Sequence, residues 1–255
     1  MPTPLLTVVM PTYNAQRFIA ESIESVIAQT VEDWELLVVD DASTDATKRI
    51  IATYQEQDGR IRLLARPSNQ GPAYARNFAL DQARGQWIAF IDSDDIWHPQ
   101  KTEKQLSAMH RHGADISYTG YRRRRHGDLE GVVVQVPERV EYGTMLRRNL
   151  IACSTAIVRS TTCGSLRMPL IKRRQDHGYW LALLRDGTRT AVGVTEPLVW
   201  YRLHPDSLSA NKLTAARYSW KLLREVERFS TGKSLWLFTG YALEAVKLRA
   251  LWKKP

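Results

Sequence analysis

Three aspartates, Asp92, Asp94 and Asp95, follow an apolar segment at residues 87–91 whose length and composition predict a buried strand. Carboxylates this close repel one another and raise each other's pKa unless a positive charge compensates them. Carboxylate oxygens are the ligands that Mg²⁺ and Mn²⁺ prefer. Asp94 and Asp95 therefore predict a divalent cation that in turn binds a diphosphate. The alternative is that one of the aspartates caps the following turn.

The sequence of the turn after the first predicted strand excludes two common kinds of phosphate-binding site. Its sequence, PTYNAQ, contains no glycine, whereas a dinucleotide-binding turn needs GxGxxG and a phosphate-binding loop needs GxxxxGK followed by Ser or Thr. The backbone there cannot surround phosphates in either of these ways. We therefore expect a cation on the aspartates to meet the phosphate charge.

The elements that must position these residues alternate along the first hundred residues. Apolar segments of strand length lie at 5–11, 34–40, 61–65 and 86–92, and helical patterns lie at 15–29, at 45–54 and at 72–83. This alternation predicts an α/β fold with a mostly parallel sheet covered by helices on both faces. Ligands of such sheets bind at the carboxyl ends of the strands, which places Asn14, Asp40, Asp41 and the aspartates at 92–95 on one edge.

The pattern is looser beyond residue 100. Helices are predicted at 101–112, at 176–187 with Gly187 closing the helix, and in the tail at 212–229 and 234–252, and strands are predicted at 114–119 and 154–160. The segment RRRRHGDLEGVVVQVP predicts an exposed basic loop followed by an antiparallel strand. We expect one domain over 1–211, with a nucleotide-binding half at 1–100, an acceptor-binding half at 101–211, and a helical appendage at 212–255.

Composition and charge are those of an ordinary globular protein. The chain has 255 residues, 44% hydrophobic and 25% charged, and lacks any run of about 20 apolar residues that a membrane span needs. The net charge of +9 divides into −5 for residues 1–120 and +14 for residues 121–255. The acidic half predicts a cation site, and the basic half predicts a polyanion-binding surface or merely a solvated face.

The N-terminal sequence and the two cysteines predict a cytosolic location. The N-terminus lacks the basic segment of a signal peptide and runs directly into the first predicted strand. The two cysteines, Cys153 and Cys163, have no CxxC partner, which argues against a disulfide framework or a zinc site and favours a reducing compartment.

Several motifs together resemble the inverting family 2 glycosyltransferases, which have the GT-A fold. They are VVMPTYNAQRFIAESIESVIAQTVEDWELLVVDDASTDAT, NQGPAYARN and GQWIAFIDSDDIWHPQK, followed by CSTAIVR, QDHGYWLALLRDG and YRLHPDSLS. The tail WKLLREVERF is similar to the branch of teichuronic acid and related cell-surface polysaccharide enzymes. The sequence lacks QxxRW, the marker of processive relatives, so the resemblance implies transfer of a single sugar.

The resemblance also implies roles for individual residues at the donor site. Tyr13 would stack on the nucleotide base beside Pro11, Asp41 would accept a hydrogen bond from the base, and Asp40 would support the loop. The remaining donor-binding positions are Asn14, Asn69, Arg76, Asp92 and Asp94, with Asp94 contacting the ribose and Asp95, together with Asp94, binding the metal. For Arg76, the alternative is a helix arginine paired with a surface acid.

Asp176 is the residue that the resemblance assigns to catalysis. Inverting transfer requires a carboxylate that removes the proton of the acceptor hydroxyl as its oxygen attacks the anomeric carbon. The alternative is an N-cap aspartate that accepts hydrogen bonds from the first turn of its helix. Many relatives carry Glu immediately before this aspartate, whereas this chain has Gln175.

Other candidates concern the diphosphate and the acceptor. His204 is either a ligand of the metal or diphosphate or a hydrogen-bonded structural residue. The basic residues that fit an acceptor pyrophosphate are the arginines at 122–125, Arg147 with Arg148, and those at 172–174. For the arginines at 122–125, a solvated loop is the alternative. The last helix places Leu235, Phe238, Ala242, Ala245, Leu248 and Trp252 on one side among lysines and arginines. It is either an interfacial membrane helix or a helix packed on the domain.

These inferences converge on one function. We expect an enzyme that uses Mg²⁺ or Mn²⁺ to transfer one sugar from a UDP-sugar to a hydroxyl of a cell-surface glycan or an undecaprenyl-diphosphate-linked acceptor. Its predicted location is the cytoplasm, at the inner face of the membrane. The alternatives are a nucleotidyltransferase and a non-enzymatic protein that binds a polyanion or a membrane, and no nucleic-acid partner is expected because no groove-reading motif is present.

Overall fold

The computed structural model describes residues 3–125, 131–203 and 212–240. Its strands are β1 Leu6–Thr12, β2 Trp34–Asp40, β3 Ile61–Ala65, β4 Trp87–Phe90, β5 Ile96–Trp97, β6 Ile116–Arg125, β7 Val132–Val134, β8 Ile157–Arg159 and β9 Ala191–Leu203. Its helices are α1 Ile19–Ile27, α2 Thr47–Gln57, α3 Pro72–Gln82, α4 Lys101–His112, α5 Tyr142–Arg147, α6 Ser160–Cys163, α7 Gln175–Leu184 and α8 Lys212–Lys221. A 3₁₀ turn spans Cys153–Thr155, and a π-helical turn spans Leu222–Val226.

One sheet runs through both predicted halves of the chain in the order β3-β2-β1-β4-β8-β6-β9-β5, with β7 beside β6. The strands β1 to β4 are parallel to one another, as predicted. The second half is mixed, because β8 is antiparallel to both β4 and β6, whereas β6 and β9 are parallel.

The core lies on both faces of this sheet. Strand side chains alternate between the faces, so Val9 and Phe90 pack with α3 and α7, whereas Val8 and Met10 pack with α1, α2 and α4. The burial of β1 and β2 along their whole length explains why their sequences are continuously apolar rather than alternating.

The structure corrects some predicted boundaries in the second half. The segment predicted as a strand at 154–160 is a 3₁₀ turn at Cys153–Thr155, a strand of only three residues at Ile157–Arg159, and the start of α6. The predicted helix at 212–229 is α-helical only over Lys212–Lys221 and continues as the π-helical turn.

The prediction of a basic loop at 122–125 is wrong. These arginines form the end of β6, where Arg122 lies opposite Val133 of β7 and opposite Trp200 of β9. Pairing with β7, which follows closely in sequence, and with the distant β9 stabilises an extended conformation here, even though four consecutive charges are unusual in a strand. The antiparallel strand predicted after them is confirmed as β7.

The C-terminal region packs partly on the domain, because Leu222 belongs to the core that contains residues of α3 and α7. Residues 231–240 are helical, with Leu237 buried and the ring of Phe238 in edge contact with Trp220. The rest of the predicted last helix, including Trp252, lies outside the described residues. None of the helices in the described ranges is long and apolar enough to cross a bilayer.

The turn between α3 and β4 fixes the start of the strand that leads to the three aspartates. Gly85 donates its backbone N–H to the Thr7 hydroxyl at 2.8 Å, and a Cβ at this position would lie 2.4 Å from the Thr7 nitrogen. The backbone of β1 therefore leaves no room for a side chain at Gly85.

We expect Gly85→Ala to lower the free energy of unfolding by about 1–3 kcal/mol or more, because the added methyl group must displace backbone. Gly59→Ala is the matched control, since a Cβ there has no atom within 4 Å. The control should change stability by no more than about 0.5 kcal/mol. Urea unfolding of both variants measures the difference, and equal stabilities would contradict the close approach of Gly85 to β1.

Candidate functional site

The carboxyl ends of β1, β2 and β4 bring the predicted site residues to one edge of the sheet. Thr12 at the end of β1 lies opposite Asp40 at the end of β2, and β1 pairs with β4 on its other side. The parallel directions of these strands place the three chain segments that follow them at the same edge. The predicted residues are therefore brought to one edge of the sheet, and the binding of a donor there stays a prediction.

The aspartates after β4 form a compact acidic cluster. Asp92, Asp94 and Asp95 each offer one carboxylate oxygen, and these oxygens lie within 4.8 Å of one another. Asp95 is only 1% exposed. Burial, together with the charges of Asp94 and Asp92, raises the pKa of Asp95 well above its usual value. A divalent cation fits this oxygen-rich cluster, because its charge would offset the repulsion that the fold imposes.

Two further residues, which the sequence did not indicate, hold Asp95. The hydroxyl of Ser154 donates to Asp95 Oδ2, and the backbone N–H of Arg202 donates to Asp95 Oδ1 at 3.0 Å. The Arg202 side chain also donates from Nε to the carbonyl oxygen of Asp94 at 2.9 Å. The only sequence signal for Ser154 was its place in the motif CSTAIVR, and for Arg202 its place in YRLHP.

Arg76 connects the acidic cluster to α7. It is buried in α3, and its Nη2 forms an ion pair with Asp92, a partly exposed member of the acidic cluster. Its role at a donor site stays a prediction. Within the described parts of the chain, its Nε and Nη1 atoms have no hydrogen-bond partner. Its charge acts on both Asp92 and Asp176. A buried guanidinium with two unused donors can bind further anionic oxygens.

Asp176 lies in the first turn of α7, beside the acidic cluster. Helix α7 begins one residue earlier than predicted, with Arg174 in the N-cap position at a left-handed φ of 62°. The alternative of Asp176 as the N-cap residue is therefore wrong. Asn149, a residue missed by the sequence analysis, donates from Nδ2 to Asp176 Oδ2 at 3.1 Å. Burial raises the pKa of Asp176, and the positive charge of Arg76 opposes part of this rise.

The aspartates after β2 stabilise the loops around them. Asp41 accepts hydrogen bonds from the backbone N–H groups of Gln70 and Gly71 and from the guanidinium of Arg66. Asp40 accepts one from the backbone of Ser43, which agrees with its expected role in supporting the loop. Both carboxylates are buried. The predicted contact of Asp41 with a nucleotide base stays a prediction.

The turn after β1 leaves one aromatic ring open to solvent. Tyr13 is 50% exposed, next to the buried Pro11. Asn14 adopts a positive φ of 48°, and its side-chain oxygen accepts from the backbone of Thr44 at 2.9 Å. Asn14 therefore connects the turn after β1 to the loop after β2. Asn69 is exposed in the loop before α3, and its predicted contact with a ligand stays a prediction. An exposed ring on a fixed turn is suited to stacking.

The remaining candidates concern the diphosphate and the acceptor. His204 and most of the YRLHPDSLS segment lie outside the described residues. Arg147 is exposed, and its guanidinium lies 5.3 Å from the ring centre of Trp236. Lys172 is exposed in the segment before α7. Their contact with an acceptor stays a prediction.

His177, next to Asp176, makes the stability of the folded chain sensitive to acid. Its Nε2 lies 2.7 Å from the carbonyl oxygen of Met145, and burial lowers the pKa of the imidazole to about 4. The unfolded chain would protonate this histidine near its ordinary pKa of about 6.5. Protonation therefore favours the unfolded chain as the pH falls between these two values.

We expect the free energy of unfolding to fall by up to about 3 kcal/mol between pH of about 7 and about 4, relative to His177→Gln. Glutamine removes the titration but keeps a donor for the Met145 carbonyl. Urea unfolding across this pH range measures both profiles. Parallel profiles for the two proteins would contradict a buried, neutral His177.

Comparison with known proteins assigns this site to a family. The sequence profile described as glycosyl transferase family 2 matches residues 7–174. Over 247 residues the chain is 40% identical to a Bacillus subtilis protein described as a teichuronic acid biosynthesis glycosyltransferase, TuaG, covering 96% of this chain and 98% of TuaG. Over 219 residues it is 36% identical to the Escherichia coli UDP-Glc:alpha-D-GlcNAc-diphosphoundecaprenol beta-1,3-glucosyltransferase WfgD, covering 86% and 85% of the two chains.

Solved structures support the fold. S. aureus TarS in complex with UDP-GlcNAc superposes with a TM-score of 0.71 at 20% identity, over 93% of this chain and 71% of that chain. The Pyrobaculum calidifontis mannosyltransferase PcManGT in complex with GDP-Man and Mn²⁺ gives 0.70 at 18% identity, over 98% and 76%. The fold is therefore GT-A, as expected.

The family match decides between the classes of function left open by the sequence. It extends from residue 7 in β1 to residue 174, immediately before α7, and so includes the strand ends and the acidic cluster. A nucleotidyltransferase and a non-enzymatic binding protein are not compatible with it. The chain belongs to glycosyl transferase family 2, the inverting sugar transferases that its motifs resemble.

Proposed function

We propose that this enzyme transfers one sugar from a UDP-sugar to a hydroxyl group of a cell-surface polysaccharide or lipid-linked oligosaccharide precursor. The observation that carries the proposal is the arrangement around Arg76, whose guanidinium pairs with Asp92 of the acidic cluster and whose charge acts on Asp176. This arrangement would combine a site for the leaving diphosphate with a carboxylate for the attacking hydroxyl.

The choice of donor and acceptor is supported by the relatives. The name of WfgD states UDP-Glc as donor and a diphosphoundecaprenol-linked GlcNAc as acceptor. TarS was crystallised with UDP-GlcNAc. For the chain described here we infer a uridine nucleotide stacked on Tyr13 beside Pro11. Asp41, Asp40, Asn14 and Asn69 would form or support the base pocket, and Asp94 would contact the ribose.

Asp176 would act as the catalytic base. In the transfer, the acceptor hydroxyl gives its proton to the Asp176 carboxylate while its oxygen forms a bond to the anomeric carbon. The bond from this carbon to the diphosphate oxygen breaks on the opposite side, so the configuration inverts. The pKa of Asp176, raised by burial, makes the carboxylate a stronger base than one in water, and Asn149 fixes its orientation.

Mg²⁺ or Mn²⁺ would bind at the acidic cluster. Asp95 and Asp94 would hold it, with Asp92 within reach and His204 as a further candidate from the sequence. When bound, such a cation supplies positive charge that stabilises the departing diphosphate. Arg76 would add to this stabilisation through its unused N–H groups, since it is already fixed by Asp92.

The C-terminal helix would bring the enzyme to the inner face of the cell membrane, where a lipid-linked acceptor resides. Leu235 and Trp236 are 55% and 63% exposed, and the exposed Arg147 and Lys233 lie close by. Apolar and aromatic side chains bordered by basic ones suit an anionic lipid surface. Arg148 and the basic residues at 172–174 would then meet the acceptor pyrophosphate.

We expect Asp176→Asn to bind UDP-sugar in the presence of Mn²⁺ with a Kd within about 3-fold of wild type but to lower kcat by about 10²-fold to 10⁴-fold. Thermal shift with a panel of nucleotide sugars measures binding, and release of UDP with a lipid-linked acceptor measures turnover. Asp81→Asn, which removes a surface carboxylate paired with Arg167, is the control. Normal turnover by Asp176→Asn would refute the assignment of the base.

We expect the double substitution of Leu235 and Trp236 by Ser to reduce binding to vesicles of phosphatidylglycerol and phosphatidylethanolamine by about 10-fold or more, because two exposed apolar side chains are lost. Val132→Ser changes an exposed apolar residue of β7 and serves as the control. Co-sedimentation measures binding. If the double variant sediments like the control, this surface does not contact the membrane.

A further inference from the structure

Ser154 occupies a buried position between two aspartates of the acidic cluster. It lies in the 3₁₀ turn at Cys153–Thr155 and is 1% exposed. Its hydroxyl oxygen accepts the backbone N–H of Asp92 at 3.0 Å and donates its proton to Asp95 Oδ2. The single proton and a lone pair of the hydroxyl are therefore both used by the cluster.

The fold fixes the turn that carries this hydroxyl. The indole N–H of Trp97 donates to the carbonyl oxygen of Ser154 at 2.8 Å. The side-chain amide of Gln105 donates to the carbonyl oxygen of Thr155 at 2.9 Å. The ammonium group of the buried Lys101 lies 3.9 Å from the ring centre of Trp97. Side chains from β5 and α4 thus hold the turn, and Ser154 cannot follow Asp95 if that carboxylate rotates.

The other oxygen of Asp95 is held from a different direction. Asp95 Oδ1 accepts the backbone N–H of Arg202 in β9. Each carboxylate oxygen therefore accepts one hydrogen bond, and the two bonds together set the plane of the group. Each oxygen also has another lone pair that can bind a ligand. Loss of the Ser154 bond would leave the carboxylate fixed at one oxygen only, and electrostatic repulsion from Asp94 and Asp92 would then turn it away.

We propose that Ser154 is a positioning residue for the cation site of this enzyme. It connects the backbone of Asp92 to the carboxylate of Asp95, so that the oxygens of the cluster converge on one point. The inference rests on the proposed function, because it takes the cluster to bind the divalent cation that accompanies the diphosphate. Partners that orient metal ligands in this way commonly change metal affinity by about 10-fold to 100-fold.

The test compares two hydroxyl deletions in the same turn. Ser154→Ala removes the bonds to the aspartates, whereas Thr155→Val removes a buried hydroxyl that donates to the carbonyl of Ala152 at 2.7 Å. Mn²⁺ binding to the full chain, measured by calorimetry and electron paramagnetic resonance without substrate, gives the affinity. Thermal unfolding in EDTA gives the structural cost of each variant, and Ser154→Cys replaces Ser154→Ala if the latter does not fold.

We expect Ser154→Ala to weaken Mn²⁺ binding by about 10-fold or more and Thr155→Val to change it by less than about 2-fold, at similar thermal stability in EDTA. Excess Mn²⁺ should restore the kcat of Ser154→Ala, since the base is untouched. Unchanged affinity in Ser154→Ala, with binding abolished in Asp95→Asn, would overturn the positioning role but leave the proposed function intact. Equal Mn²⁺ binding by wild type and Asp95→Asn would overturn both.

Discussion

Electrostatic repulsion at the end of β4 is the constraint on which the site depends. The fold holds the carboxylates of Asp92, Asp94 and Asp95 within 4.8 Å of one another and buries one of them almost completely. Such a group is stable only if other parts of the chain supply hydrogen bonds and positive charge. Arg76 from α3, Ser154 from the 3₁₀ turn and Arg202 from β9 do so.

The first half of the fold was predictable because its signals are local and redundant. Strands β2 and β3 coincide with their predicted bounds, and so does α4 at the start of the second half, since continuous apolar runs and helical periodicity mark them clearly. The arginines of β6 show the opposite case. Their strand conformation depends on pairing with β7 and β9, and a run of charges gives no local sign of it.

The site was predictable in its acidic residues and not in the residues that hold them. Asp92, Asp94 and Asp95 follow a strand, where the sequence pattern places ligand-binding groups, and Asp176 was assigned by the family resemblance. Ser154 and Asp95 are 59 residues apart, and Arg202 and Asp95 are 107 apart, so only the folded chain reveals their contacts. The start of α7 was shifted by one residue because Arg174, which the usual N-cap preferences do not favour, occupies that position.

The continuous sheet limits how this enzyme can move. The hydrogen bonds of β4 with β8, from Trp87 opposite Arg159 to Ala89 opposite Ile157, join the two predicted halves directly. A hinge between donor and acceptor regions would have to break this ladder, at a cost comparable to local unfolding. We therefore expect substrate entry and product release to involve the surface segments at the strand ends rather than a hinge within the sheet.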